Sequence, residues 1–266
     1  MDRPLSATQW IFGDEPLRHV ARRLAELGYD GIELSGDTDS VTPEQVRKIV
    51  EPLGLRVTSI CGLYTSERDL SHPDRGRRRA AVDYVRRCIE LGAGVGAAVV
   101  IVVPAAVGRI RPLADRQSEW GWAGESLSAL AESVPPGGPL LVLEALNRYE
   151  THLVNTVAQA DQLRRETESA RIAIMADVFH MNIEEHDVVE TMRAHGTAIR
   201  HVHLADSNRR EPGAGHVDFA RVLAALESEG YAGALAMEFL PADQDRLARG
   251  LAHVRSLQTQ VRQSTG

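Results

Sequence analysis

Eight short apolar runs, separated by helical stretches, constrain this chain more than any other feature of its sequence. The runs are Leu5–Ile11, Gly31–Ser35, Val57–Gly62, Ala98–Pro104, Leu140–Ala145, Ile172–Phe179, Ile199–Asp206 and Ala234–Leu240. They are nearly continuous in hydrophobicity, as strands covered on both faces are. Between them lie amphipathic stretches such as PLRHVARRLAELG, RRRAAVDYVRRCIELG and DFARVLAALESEG. Gly28, Gly54 and Gly230 stand where helices are expected to stop. Eight strand–helix units in 266 residues predict an α/β protein, a single (β/α)8 TIM barrel over residues 1–266. The alternative is an open doubly wound sheet, but no GxGxxG follows the first strand. PPGGP at Pro135–Pro139 reads as turn punctuation rather than a domain boundary.

Charge and composition narrow the partners. Thirty Lys and Arg against 37 Asp and Glu leave a formal charge of −7. Nucleic acid and anionic membrane both need a basic face, so neither is an expected partner. Lys48 is the only lysine and lies in TPEQVRKIVEPLG, a solvated helical stretch. A GxxxxGK[ST] phosphate loop is therefore absent, and amine-based covalent catalysis has no support. Cys61 and Cys88 have neither metal-ligand nor disulfide spacing, and Cys88 falls among apolar helix neighbours. MDRPLSATQWIF shows no charged leader followed by an apolar run, and GAAVVIVVPAAV is too short to span a bilayer. The expectation is a reduced, soluble, cytoplasmic protein.

In a barrel of this kind, catalytic groups stand at the C-terminal ends of the strands. The last four runs end in Glu144 (LLVLEALNRYETH), Asp177 (IAIMADVFHMN), His203 (IRHVHLADSNRR) and Glu238 (ALAMEFLP). Each alone could cap a helix or pair with an arginine. Four together, each costly to bury without a partner, point to one shared divalent cation. Three carboxylates and an imidazole suit Mn²⁺, Mg²⁺ or Co²⁺ better than a thiolate-seeking ion. They over-neutralise the cation by one charge, which favours a neutral substrate. His180 and Arg209 follow on the same rim and could steady a developing oxyanion, with Asn147 and Glu150 in the loop after Glu144. His201 is expected to point to the other face of its strand from His203. Gly213 and Gly215 allow a tight loop, and Asp218 is an expected helix N-cap.

Glu144 and Glu238 end strands five and eight and approach the barrel centre from separated directions. A sugar chelated through a carbonyl and the adjacent hydroxyl would lie between them. The cation would acidify the C–H beside the carbonyl; one carboxylate would remove the proton and the opposite one return a proton to the other face. That is the requirement for inversion at carbon.

These segments resemble the xylose isomerase-like TIM-barrel superfamily, and most closely its ketose 3-epimerase branch (D-tagatose/D-psicose 3-epimerases). LEALNRYETHLVNT is similar to the branch's strand-five signature, which implies Glu144 as metal ligand and base and Glu150 as a substrate contact. MADVFHMNIEE implies Asp177 on the metal and His180 on the substrate. HVHLADSNRREPGAGHVDF implies His203 on the metal and Arg209 on the substrate, and MEFL supplies Glu238, the second metal-bound acid/base group. The resemblance further implies Mn²⁺ or Co²⁺, C3 inversion of a ketose through a cis-enediolate, and a homodimer or homotetramer. It is strong in the C-terminal half and extends to the N-terminal half only in layout. There Trp10, Phe12, Glu33 and Tyr64 stand at the first three strand ends, and ADS replaces the usual GEN-like run after the strand-seven histidine.

Other chemistries on this scaffold are an inosose dehydratase, a hydroxypyruvate isomerase or a keto-sugar lyase. An apurinic-site endonuclease would need more metal ligands and a basic crescent. A xylose isomerase-type hydride shift would need a second metal and a catalytic lysine, and a non-catalytic sugar-binding barrel is the remaining option. A phosphorylated substrate would have Arg109, Arg111, Arg209 and Arg210 to meet it.

Overall fold

Each apolar run forms a strand, and each strand pairs in parallel with the next. The computed structural model describes residues 3–265; residues 1–2 and 266, the ends of the expected barrel, lie outside the described residues. The strands are β1 (Leu5–Thr8), β2 (Gly31–Ser35), β3 (Arg56–Cys61), β4 (Val99–Val102), β5 (Leu140–Leu143), β6 (Ile172–Asp177), β7 (Ile199–Leu204) and β8 (Leu235–Met237). They form a closed barrel in chain order, with β8 returning to β1 through Leu5↔Leu235 and Ala7↔Met237.

Several runs are longer than their strands because apolar residues continue past the end of the ladder into turns or a helix. Leu5–Ile11 gives way after Thr8 to a 3-10 turn over Gln9–Phe12. Val178 and Phe179 open a helix rather than finish β6. Glu144 and Glu238 each lie one residue beyond the ladder.

The helices outside the barrel are α1 (Leu17–Leu27), α2 (Pro43–Val50), α3 (Arg75–Val95), α4 (Arg116–Ala131), α5 (Val157–Glu166), α6 (Val178–Glu184), α7 (Val188–His195), α8 (Phe219–Ser228) and α9 (Gln244–Thr265). Their starts are chemically set. Thr42 and Thr156 form capping boxes with Gln45 and Gln159, and the side chains of Asp74, Asp115, Asp187 and Asp218 accept backbone amides at four more N-termini. Gly28 ends α1 in the left-handed region at φ 88°. Among the described residues no helix is long and apolar enough to cross a membrane.

The main core lies between sheet and helices, with Leu24, Ile32, Leu34, Ile60, Val100 and Leu127 buried in it. Inside the barrel a smaller apolar cluster of Cys61, Val99, Ile101, Val142, Ala173 and Met175 fills the side bounded by β3 to β6. Side chains two apart on a strand share a face. Glu144 therefore follows Val142 and Asp177 follows Met175 into the barrel mouth, and His203 follows His201. This spacing corrects the expectation that His201 points away from His203: the two rings lie edge to face inside the barrel, with centroids 5.2 Å apart.

Candidate metal centre and active site

The strand ends bring Glu144, Asp177, His203 and Glu238 together. All four are buried, and each offers a ligand atom within 4.8 Å of the others'. His203 stands at the focus. Its Nδ1 lies 3.3 Å from Glu238 Oε1, 3.6 Å from Asp177 Oδ2 and 3.7 Å from Glu144 Oε1. Yet Nδ1 makes no hydrogen bond of acceptable geometry and is shut off from solvent.

The other edge of the ring explains why. His203 Nε2 lies 3.0 and 3.2 Å from the two oxygens of Glu33, a carboxylate that can only accept, so Nε2 carries the proton. In the neutral ring, Nδ1 is then a lone pair facing three carboxyl groups, a place that a positive charge suits. Without a metal that charge is a second proton: burial opposes it, but Glu238, Glu33, Asp177 and Glu144 hold His203 well above the usual imidazole range. A divalent cation fits the same place and the same donor set. These four residues could hold one, with three oxygens and one nitrogen.

Glu33 was expected at a strand end but is a fully buried interior residue. Its carboxylate also accepts from His201 Nε2 (2.7 Å) and Ser59 Oγ (2.6 Å). Burial works against its charge, but the His203 and His201 imidazoles hold its pKa well below the usual value. Burial in turn lowers His201. A chain Ser59–Glu33–His201/His203 thus crosses the barrel beneath the cluster and fixes the ring of His203.

The carboxylates differ in what holds them. Asp177 caps α6 through Oδ1, which accepts from Phe179 N (2.8 Å) and His180 N (3.1 Å), leaving Oδ2 toward His203. Burial disfavours its charge, but His180, His203 and Arg209 outweigh that and hold its pKa far below the usual carboxylate range. Glu238 accepts from Trp10 Nε1 (2.8 Å) on one oxygen and from Arg209 Nη2 (3.1 Å) on the other. For Glu144 burial dominates, and with Glu238 and Asp177 beside it the carboxyl is pushed up despite His203.

Above the cluster opens a cavity of about 340 Å³, bounded by Glu144, Glu238, Glu150, His180 and Arg209 and walled by Trp10, Cys61, Tyr64, Val103 and Leu146. Asn147 Nδ2 donates to Glu150 Oε1 (2.9 Å) and to His180 Nδ1 (2.8 Å), so His180 carries its proton on Nε2. Arg209 lies over the Phe179 ring, its guanidinium carbon 4.5 Å from the centroid. Its backbone is left-handed (φ 57°) in a loop tied by the buried Asp206 carboxylate, which accepts from Ser207, Gly213 and Val217 amides. Cys61 is no thiolate, because burial and the neighbouring Glu33 and Glu238 push its thiol up. Phe12 is half buried against the core and does not line the cavity.

Arg109 does not await a phosphate. It is paired with Asp69 (2.7 Å) and Glu119 (2.8 Å). Trp10's bond to Glu238 and Glu33's to His203 link distant parts of the chain, and no local motif announces either. The opposite mouth of the barrel also has a cavity, about 370 Å³ and lined by Val57, Val99 and Arg200, but none of the four clustered ligands reaches it.

Comparison with known proteins agrees with this architecture. The family model described as Xylose isomerase-like TIM barrel matches residues 21–257. A 3-dehydro-D-guloside 4-epimerase of Escherichia coli (strain K12) is 32% identical over 234 residues, which cover 85% of this chain and 88% of that one. An L-ribulose 3-epimerase of Mesorhizobium japonicum is 32% identical over 223 residues, covering 84% and 75%. A solved structure titled as L-ribulose 3-epimerase superposes with a TM-score of 0.91 at 26% identity, covering 99% of this chain and 97% of the other. With the family model spanning nearly the whole barrel and two curated relatives above 30% identity, this chain belongs to the xylose isomerase-like TIM barrel family.

Proposed function

We propose that this chain, acting as a single barrel domain, is a divalent-metal-dependent carbohydrate epimerase that inverts the carbon beside a ketone, C3 of a ketose. The observation that carries the reading is the buried, unbonded Nδ1 of His203 facing three carboxylates, two of them on strand ends three apart. Glu144, Asp177, His203 and Glu238 hold the metal, and the oxygen-rich set favours Mn²⁺, with Co²⁺ or Mg²⁺ as substitutes. A divalent cation held there would supply Lewis-acid polarisation of the ketone.

The protein's own groups do the rest. Glu144 and Glu238 flank the reacting carbon; in each direction one takes the proton and the other, protonated, delivers one to the opposite face. Glu238 is kept in place by Trp10 and Arg209. His180, with Nε2–H turned from Asn147, and Arg209 hold substrate oxygens, and Glu150 accepts from a hydroxyl. The mostly apolar walls limit water around the deprotonated carbon, which keeps solvent from protonating it at random.

Because the chemistry acts beside a ketone wherever that ketone stands, C4 inversion of a 3-keto sugar is a second reading. It is favoured by the E. coli 4-epimerase, 88% of whose length this chain covers. The further expectations are a cytoplasmic location, consistent with two free buried thiols, and a homodimer or homotetramer, which light scattering would read.

The test uses Mn²⁺-loaded protein in D₂O with D-fructose, D-tagatose, their phosphates and 3-keto-glucosides. One epimer bearing a single deuteron at the carbon beside the ketone is the expected product. A dehydrated product would move the protein to the inosose dehydratase alternative. Absence of both epimer and deuterium exchange across the panel would end the reading.

A further inference from the structure

A second cavity, of about 590 Å³, opens beside the first and shares Tyr64, Thr65 and Val107 with it. The ledge between them is fixed by main chain. Val107 N donates to Tyr64 O (3.0 Å) and Gly108 N to Glu150 O (2.8 Å), which ties the loops after β3, β4 and β5 together.

The floor is a closed set of ion pairs. Arg109 reaches Asp69 through Nε (2.7 Å) and Nη2 (3.2 Å), and Glu119 through Nη1 (2.8 Å). His152 Nε2 meets the same Glu119 oxygen at 2.6 Å, and Ser71 Oγ accepts from Arg109. One guanidinium between two buried carboxylates leaves this floor no positive charge to spend on an anion.

The walls offer neutral-ligand chemistry. Thr65 and Ser66 present exposed hydroxyls. His72 Nδ1 accepts from Asp74 N (2.9 Å), which leaves Nε2 without a partner among the described residues. Burial holds that imidazole below its usual pKa, so the ring is neutral at pH 7. Val107 and Leu113 add apolar surface, 44% and 54% exposed. Among the described residues that line it, Arg77 is the one cation beside the neutralised Arg109. Hydroxyl donors and acceptors combined with apolar surface match a sugar ring, whose edges are polar and whose faces carry C–H groups.

We infer that the keto-sugar turned over by this protein carries a neutral polyhydroxylated substituent, a second sugar residue, on its anomeric carbon, and that this residue occupies the outer cavity. The inference rests on the second reading, C4 inversion of a 3-keto sugar: the inner cavity takes the ring that bears the ketone, and the anomeric carbon of that ring can carry a glycosidic bond, whereas in a 2-ketose it is the ketone carbon itself. A free ketose would leave the outer cavity to water.

The test compares kcat/KM of the Mn²⁺-loaded enzyme on a methyl 3-keto-glucoside, on the same keto-sugar glycosidically linked to a second glucose, and on D-fructose and D-tagatose. The disaccharide is expected to exceed the methyl glycoside by about tenfold or more, and both to exceed the free ketoses. Ser66→Trp, which puts a bulky ring on the wall of the outer cavity, should lower the disaccharide-to-methyl ratio about tenfold, mainly through KM. If that variant fails to fold, His72→Ala should lower the same ratio about threefold. A ratio near one in the native protein, a ratio that neither variant changes, or free ketoses turned over fastest would each overturn the inference while leaving the epimerase reading intact. Inactivity on every substrate by protein that binds Mn²⁺ would overturn both.

Discussion

The two halves of the barrel are built alike and equipped differently. The ends of β5 to β8 supply every residue of the four-ligand cluster, and their loops supply Glu150, His180 and Arg209. The ends of β1 to β4 supply mainly walls: Trp10, Cys61, Tyr64, Val103 and Val107. The contrast is between a half that gathers the buried ligand-type side chains and a half that walls the cavity above them. At the site itself side chains cross the divide: Glu33 of β2 fixes His203, and Trp10 holds Glu238.

The sharpest test of that division is Glu144→Gln or Glu238→Gln. Either should lower kcat about 10³-fold, within the range for removing an acid/base group, as read by deuterium uptake at saturating metal. A tenth of native activity in either variant would show that the C-terminal half does not hold both proton carriers. Chelation by EDTA should abolish turnover, and Mn²⁺ should restore it.

Glu33→Gln tests whether a residue of the walled half can act like one of the equipped half. Its loss frees the His203 ring to take the other tautomer, so Mn²⁺ affinity should fall about 10–100-fold in a chelator competition. Turnover at saturating Mn²⁺ should recover much of its native value. Unchanged affinity would reduce Glu33 to packing.

Glu119 lies on α4, outside the four-ligand cluster and the inner cavity, so its loss should be felt in stability. Burial disfavours its charge, but Arg109, the Ala114 and Leu113 amides and His152 hold its pKa below the usual 4.5. A depressed folded-state pKa gives stability that is complete above the unfolded value and lost as pH falls through the folded one. Glu119→Gln should therefore cost about 2 kcal/mol near pH 7 by thermal melts. The gap to the native protein should narrow as pH drops below about 4.5. A gap that widens on acidification would refute the assignment.

The smallest effect is expected from Trp10→Phe, which keeps the wall and removes one donor to Glu238. A roughly fivefold fall in kcat with little change in Mn²⁺ affinity would place Trp10 as a positioning residue.

How much of this was legible in the sequence follows from local chemistry. The barrel was legible because strands covered on both faces must be apolar throughout, and eight such runs alternate with helices. The four-ligand cluster was legible because each member interrupts such a run at its end. The strand ends were overdrawn where apolar residues continue past the ladder, as Gln9–Phe12 and Val178–Phe179 do. His201 was misjudged although a spacing of two keeps a side chain on the same face as His203. Glu33 was placed at the rim because a sequence cannot show depth: its bonds to β7 exist only after the barrel closes and brings residues 168 and 170 positions apart into contact. Arg109 suggested an anion site because its partners, Asp69 (40 positions away) and Glu119 (10 away), meet it only once the loops are folded.

Closure of the sheet has one more consequence. Every strand has two hydrogen-bonded neighbours, so the sheet has no row of vacant amides and carbonyls to offer another chain. Among the described residues, the surfaces left for another copy to meet are those of helices and loops. An assembly of that kind can be rearranged by surface substitutions without disturbing the ring of strands that carries the chemistry.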